Sequence, residues 1–104
     1  QTCALPIYVP HPVVTNRLRG FRDASGGFRA HAEAPRPDLL STAVGAFALR
    51  RLGAPLQAGD ASRTAVFVQD LWDASGGFRG CDDDAQADCE YTFYALLALG
   101  SLEA

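Results

Sequence analysis

The heptapeptide DASGGFR occupies residues 23–29 of this chain, and the same seven residues recur at residues 73–79, 50 positions later. The agreement continues at this offset, for example with Thr42 and Thr92. A repeat of this length typically holds a pair of packed elements that buries its apolar face only against neighbouring repeats. The sequence therefore predicts two copies of one structural unit. Repeat 1 covers about residues 12–53 and repeat 2 covers about residues 61–102.

The first residues, QTCALPI, reverse-translate to CAG ACG TGT GCT CTT CCG ATC, which is part of a common short-read sequencing adapter. We interpret residues 1–7 as adapter read-through and exclude them from fold reasoning. Residues 8–104 are interpreted as a C-terminal fragment of a longer protein, because read-through precedes them and the chain has no methionine, as expected where the start codon is missing. The repeat number agrees, since arrays of such repeats need about three or more copies for stability. On this interpretation the chain requires further repeats of the same kind beside it.

Composition excludes some classes of partner. The net charge is −3 and the isoelectric point is near 5.1, so no basic footprint for nucleic acid is expected. An apolar run of about 18 residues is absent, so no membrane-spanning segment is expected. Outside the adapter stretch the cysteines are Cys81 and Cys89, with no secretory signal, which favours a reducing cytoplasm. All nine positive residues are arginine, which favours a GC-rich, bacterial-type genome.

Two segments predict helices that are apolar around most of their circumference. Residues 38–53 read DLLSTAVGAFALRRLG, with Asp38 at the position of an N-cap and Gly53 as a stop signal. Residues 88–99 read DCEYTFYALLAL, and Asp88 again precedes the apolar run. A helix that is apolar on all sides is expected to be buried on all sides. These two helices are therefore predicted to form an inner layer.

Two further segments predict an outer layer. Residues 61–72 place Phe67 and Leu71 on one face of an amphipathic helix, and residues 12–22 show a weaker version of this pattern. The SGGF turn joins each outer helix to an inner helix, and Phe28 and Phe78 are expected to fill the gap between helices. The predicted fold class is all-α, made of helical hairpin repeats, and no strand is expected.

The two copies share the order GGF, a loop, Asp, and an apolar helix with Thr in its first turn. The matching passages are GGFRAHAEAPRPDLLSTAVGAFAL and GGFRGCDDDAQADCEYTFYALLALG. This pattern resembles the repeats shared by protein prenyltransferase β subunits and by squalene and other terpene cyclases, over about residues 12–102. The resemblance implies an α/α toroid, a double ring of helical hairpins around an apolar cavity that holds an isoprenoid chain. It also implies prenyl transfer or terpene cyclisation as the reaction class.

The resemblance also implies where a metal would bind. Protein prenyltransferases hold zinc with an Asp-x-Cys sequence at the start of one inner helix and a His at the start of a later one. Asp38 and Asp88 match the Asp, but Leu40 stands at the Cys position and Tyr91 at the His position. Cys89 is one residue out of register. We expect no zinc and no other cofactor; Asp38 and Asp88 remain weak metal candidates whose expected role is helix capping.

The other polar motifs identify no catalytic residue. Residues 82–84 are three consecutive aspartates, but neither of the acidic motifs of terpene cyclases can be read there, and a solvated loop is the preferred interpretation. Trp72 is interpreted as a packing residue. Tyr91 and Tyr94 begin an inner helix, where their rings can line apolar space while the hydroxyl groups reach polar partners. They are the candidate substrate-binding residues at a cavity mouth, with core packing as an equal alternative.

Two functions follow from this sequence. The first is a prenyltransferase-like or squalene-cyclase-like repeat protein whose apolar cavity accepts an isoprenoid or another lipidic chain. The second is a non-catalytic toroid or helical-repeat scaffold that binds a protein or peptide. The incomplete zinc pattern favours the second, and the family resemblance favours the first.

Overall fold

The computed structural model describes residues 11–103, so the adapter interpretation of residues 1–7 lies outside the described residues. Within the described part the chain is mostly helical, and the all-α class is confirmed. A single short β-hairpin accompanies the helices. The elements are α1 His11–Gly20, α2 Leu39–Arg51, α3 Ala58–Gln69, β1 Trp72–Asp73, β2 Gly77–Phe78 and α4 Cys89–Ser101.

Both inner helices begin where the sequence predicts. The Asp38 carboxylate accepts a hydrogen bond from the Ser41 backbone N–H at 2.7 Å, and the Asp88 carboxylate accepts one from the Tyr91 backbone N–H at 2.7 Å. Each aspartate is therefore an N-cap that satisfies a free N–H of the first turn. Helix α2 ends before Gly53, whose φ of 76° lies in the left-handed region that favours glycine. The predicted capping role of both aspartates is confirmed.

The outer helix α3 is displaced from its predicted range of 61–72, because it begins and ends three residues earlier. The chain leaves the helix in time for the Leu71 carbonyl to accept a hydrogen bond from the Arg79 N–H at 2.9 Å. Trp72 then pairs with Phe78 in an antiparallel ladder. The expectation that no strand would form is therefore wrong. The glycine turn closes into a hairpin because the extended residues on its two sides exchange backbone hydrogen bonds.

The two copies of the heptapeptide anchor in the same way. The Phe28 N–H donates to the Thr42 hydroxyl at 2.9 Å, and the Phe78 N–H donates to the Thr92 hydroxyl at 3.1 Å. Both phenylalanine side chains are buried, which confirms their predicted structural role. In both repeats this hydrogen bond thus joins the glycine turn to the first turn of the following inner helix.

The inner helices form the centre of the fold. Helix α2 packs chiefly against α4, while α3 lies on α4 and α1 on α2. The packing of α2 on its own turn is close, since a Cβ added at Gly45 would lie 2.5 Å from the Phe28 ring. The buried residues of the central core are Leu39, Ala43, Val68, Leu71, Phe78, Ala95 and Ala98.

The expectation that the inner helices are buried on all sides is wrong for this chain. Leu40 is 42% exposed, Phe47 is 43% exposed and Leu96 is 63% exposed. Within residues 11–103, α2 and α4 cover one face of each other, and the outer elements cover a second face. The remaining faces of α2 and α4 have no neighbour among these residues. Hydrophobic periodicity shows which faces of a helix are apolar, whereas burial of a face also requires a neighbouring element that covers it.

The contact between Gly45 and Phe28 gives a test of the packing. We expect Gly45→Ala to destabilise the chain by about 1–3 kcal/mol, because the added methyl group meets a buried ring. Gly100→Ala is the matched control in α4, where an added Cβ meets nothing within 4 Å. It should be neutral or stabilising by up to about 1 kcal/mol through helix propensity. Urea unfolding followed by circular dichroism measures both; equal effects would contradict the packing.

Candidate functional site

An apolar strip runs along the uncovered side of α2. It consists of Leu40, Val44 and Phe47, all exposed. Their spacing of four and then three residues places them on one side of the helix, and Arg51 continues the same line one turn later. We call these three apolar residues the α2 strip. The sequence marks them as apolar, but it predicts burial and not an open surface.

The strip leads into a cleft between the C-terminal halves of α2 and α4, which has a volume of about 480 Å³. We call it the α2–α4 cleft. Its lining combines three large apolar side chains with two guanidinium groups. Arg50 donates to the backbone carbonyls of Ser101 and Glu103, so this side chain holds the end of α4 in place. The cleft is lined by Phe47, Arg50, Arg51, Leu96, Leu97, Gly100 and Ser101.

The cleft was not predicted from the sequence. For helix α2 taken alone, Arg50 and Arg51 in its last turn are adequately explained as complements to the helix dipole. The available signal was a pair of arginines directly after an apolar run. The arginine pair indicates a cleft only when α4 is known to pack beside α2, and hydrophobic periodicity does not predict which helices pack together.

The two tyrosines that the sequence singles out lie in different surroundings. A Cβ added at Gly80 would lie 2.4 Å from the Tyr91 ring, so Tyr91 packs over the loop that follows the second glycine turn. Burial raises the pKa of its hydroxyl, and the charges of Asp84 and Asp88 add to the effect. Tyr94 is half-buried against the core and stands edge-on to Phe93, with ring centroids 5.5 Å apart.

The repeat offset separates the roles of the two tyrosines. Tyr94 occupies the position in α4 that Val44 of the α2 strip occupies in α2, whereas Tyr91 corresponds to Ser41 in the capping turn. Tyr94 is therefore the one that belongs to the strip side of the inner layer. Its place in substrate binding stays a prediction.

The residues at the implied zinc position do not fit that metal. Both carboxylate oxygens of Asp38 accept hydrogen bonds from Ser41, one from the backbone N–H and one from the hydroxyl. Leu40 offers no ligand atom where the thiolate is required. Asp88 caps α4 through the Tyr91 N–H. The side chains that the resemblance would assign to zinc therefore serve helix capping and the apolar strip instead.

One cluster of metal-ligand type was not identified from the sequence. Ligand atoms of Cys81, Asp83 and Asp84 lie within 4.8 Å of one another in the loop before α4. The Cys81 thiol donates to the Asp83 carboxylate at 2.7 Å, while Asp84 accepts from the Gly80 N–H at 3.0 Å. Arg36 pairs with Asp83 at 3.3 Å. The groups of this cluster satisfy one another and close the loop.

These contacts determine the protonation of the thiol. The hydrogen bond to Asp83, followed by burial, raises the pKa of Cys81. The same hydrogen bond and the positive charge of Arg36 lower the pKa of Asp83. Near neutral pH the pair therefore exists as a thiol and a carboxylate. A protonated thiol is a poor nucleophile and a poor metal ligand.

Comparisons of the chain with protein-family models, with curated proteins and with solved structures return no match. Among the helices of residues 11–103, none combines the length and the apolar character that crossing a bilayer demands.

Alkylation by iodoacetamide near neutral pH tests the Cys81–Asp83 pair. We expect Asp83→Asn to accelerate modification of Cys81, because each unit by which the thiol pKa falls raises the thiolate fraction about tenfold. Asp82→Asn is the matched control, since Asp82 also pairs with Arg36 but does not contact the thiol. Peptide mapping by mass spectrometry follows each cysteine separately. An equal rate for Cys81 in both variants would contradict the pairing.

Proposed function

We propose that this chain is a section of a helical-repeat toroid whose inner helices hold an isoprenoid or another lipidic chain. The observation that carries the proposal is the α2 strip. Three large apolar side chains lie in a row on an inner helix and leave their surface open. An apolar chain laid along the strip would remove that surface from water, which is favourable by about 25 cal/mol for each Å² covered.

The α2–α4 cleft supports a ligand that has two chemically different ends. Its volume of about 480 Å³ lies in the range of small-molecule sites, and its apolar lining residues are Phe47, Leu96 and Leu97. Arg51 also lines the cleft, at the end of the α2 strip. Arginine recognises phosphate and carboxylate groups through its planar fork of donors. The arrangement suits an apolar chain that carries an anionic end.

The proposed role is binding, with prenyl transfer or terpene cyclisation as the reaction class of the whole protein. The capping of Asp38 and Asp88 commits these carboxylates to the fold. Catalytic groups would therefore come from other repeats. The alternative, a non-catalytic scaffold that binds a peptide, is favoured by Leu40, because an apolar side chain replaces the thiolate that zinc chemistry requires.

Calorimetric titration of the protein with farnesyl diphosphate tests the proposal. We expect Val44→Asp to weaken binding at least about tenfold, equivalent to about 1.4 kcal/mol, because the change places a charge in the middle of the α2 strip. Val66→Asp is the matched control. Both valines are exposed on helices, at 49% and 53%, but Val66 lies on the outer helix α3. Its substitution should leave the affinity unchanged.

Two further ligands separate the contributions of the apolar chain and of the anionic end to the binding affinity. Farnesol tests the apolar chain alone, and inorganic diphosphate tests the anionic end alone. Absence of both heat and thermal stabilisation with farnesyl diphosphate at millimolar concentration would contradict lipid binding. Binding of an amphipathic peptide that Val44→Asp abolishes would then support the scaffold.

A further inference from the structure

The repeat makes an internal comparison possible, because the same surface is covered in repeat 1 and open in repeat 2. The difference begins at the glycine turns. Gly26 lies beneath α3, where the Thr64 hydroxyl donates to its carbonyl at 2.7 Å and an added Cβ would lie 2.5 Å from the Arg63 carbonyl oxygen. Gly76 has the same left-handed backbone, with φ of 111° against 96°, but an added Cβ there meets nothing within 4 Å.

The next glycine is buried in both turns, but different neighbours cover it. A Cβ added at Gly27 would lie 2.8 Å from the ring of Phe67, which belongs to repeat 2. A Cβ added at Gly77 would meet only Thr92 and Ala87, which belong to its own repeat. The turn of repeat 1 is thus packed beneath an outer helix that presents a hydroxyl and, three residues later, an aromatic ring.

The residue before each heptapeptide is likewise covered in repeat 1 and exposed in repeat 2. Arg22 is held by α3, since its side chain donates to the Thr64 hydroxyl at 3.0 Å and to the Asp60 carbonyl at 2.9 Å. Trp72 is the corresponding residue of repeat 2. Its ring rests edge-on against Phe78, with centroids 5.3 Å apart, but the residue is 53% exposed. The interpretation of Trp72 as a packing residue therefore holds on one side of the ring only.

The inner helices also differ in burial at equivalent positions. Ala43 and Ala46 of α2 are buried, and Ala43 belongs to the same core as Ala95 and Ala98 of α4. The corresponding residues of α4 are Phe93 and Leu96, which are 58% and 63% exposed. The side of α2 that meets the next inner helix thus reappears on α4 as an open apolar surface.

We propose that this surface docks one further helical hairpin of the same repeat type. We call it the open edge; it comprises Trp72, Gly76, Phe93 and Leu96, which are all exposed. The outer helix of the partner places a hydroxyl on the Gly76 carbonyl and an aromatic ring over Gly77, in the manner of α3 on repeat 1. Its inner helix presents small side chains to the large ones of α4. The proposal rests on the repeat organisation of the proposed function but not on its ligand, although Leu96 also lines the α2–α4 cleft.

A second copy of this chain is a poorer occupant than such a hairpin. Its outermost helix would be α1, in which Val14 and Arg17 stand at the positions of Thr64 and Phe67. Valine cannot donate to the Gly76 carbonyl, and a guanidinium would replace the aromatic ring over Gly77. The open edge therefore selects a repeat with the chemistry of α3 rather than the first repeat of another molecule.

Extending the chain tests the proposal. A duplicate of residues 54–103 is fused after Glu103, with Phe in place of the duplicated tryptophan, so that Trp72 remains the single tryptophan reporter. We expect Trp72 emission to move to shorter wavelength and the urea midpoint to rise in one cooperative transition, because neighbouring repeats stabilise one another through their interface. Unchanged Trp72 emission would overturn the proposal. This holds if the added residues are helical but do not dock, and it holds if they are unfolded, because docking should order the added residues.

Matched substitutions locate the interface. In the extended chain, Phe93→Glu should restore the Trp72 emission of the unextended chain; in the unextended chain it removes only the edge contact of the exposed Phe93 ring with Tyr94. Leu40→Glu changes another exposed apolar residue, on the α2 strip and away from the open edge, and should leave the blue shift intact. A blue shift that survives Phe93→Glu would overturn the assignment. Concentration-dependent emission in the unextended chain would show a second copy at the edge and would also overturn it.

Discussion

A threonine hydroxyl in the first turn of each inner helix holds the unit together. Thr42 accepts the N–H of Phe28 at 2.9 Å and donates to the Asp38 carbonyl at 2.7 Å. The Phe28 N–H is buried, and a buried donor without a partner costs about 1–3 kcal/mol. The hydroxyl therefore fixes the turn to the helix start. Thr92 repeats the arrangement with Phe78 and the Asp88 carbonyl.

The position of the turn sets the depth of the phenylalanine and so the packing of the inner helix. Gly45 leaves room for the Phe28 ring, which is almost fully buried, whereas the equivalent position in α4 is Ala95. Phe78 lies nearer to solvent, in a repeat whose outer side is open. One sequence motif thus builds two copies of the same anchor. The polar groups of the motif are occupied in holding the fold, which explains why a motif so clear in the sequence says little about a reaction.

The features that the sequence predicts well are those set within one repeat. The N-caps at Asp38 and Asp88 and the buried phenylalanines depend on residues that lie close together along the chain. The features that it misses depend on contacts between elements. The sequence does not reveal that helix α3 starts at Ala58, because the N-cap residue Gln57 makes no side-chain cap hydrogen bond. The exposure of the α2 strip follows from what packs beside α2, and no periodicity reports that. The α2–α4 cleft requires two helices to be set side by side.

The positions that differ between the repeats include those of the α2 strip, on which the proposed ligand selection would depend. Residues of the anchor are identical at the 50-residue offset, whereas the residues of the α2 strip change in size and polarity. A scaffold whose anchors stay the same can vary the lining of an inner surface one repeat at a time without altering the fold. In repeat 2 this change introduces a hydroxyl beside apolar groups, as the prediction for Tyr94 requires. The strip residues and their counterparts in α4 are Leu40 and Glu90, Val44 and Tyr94, and Phe47 and Leu97.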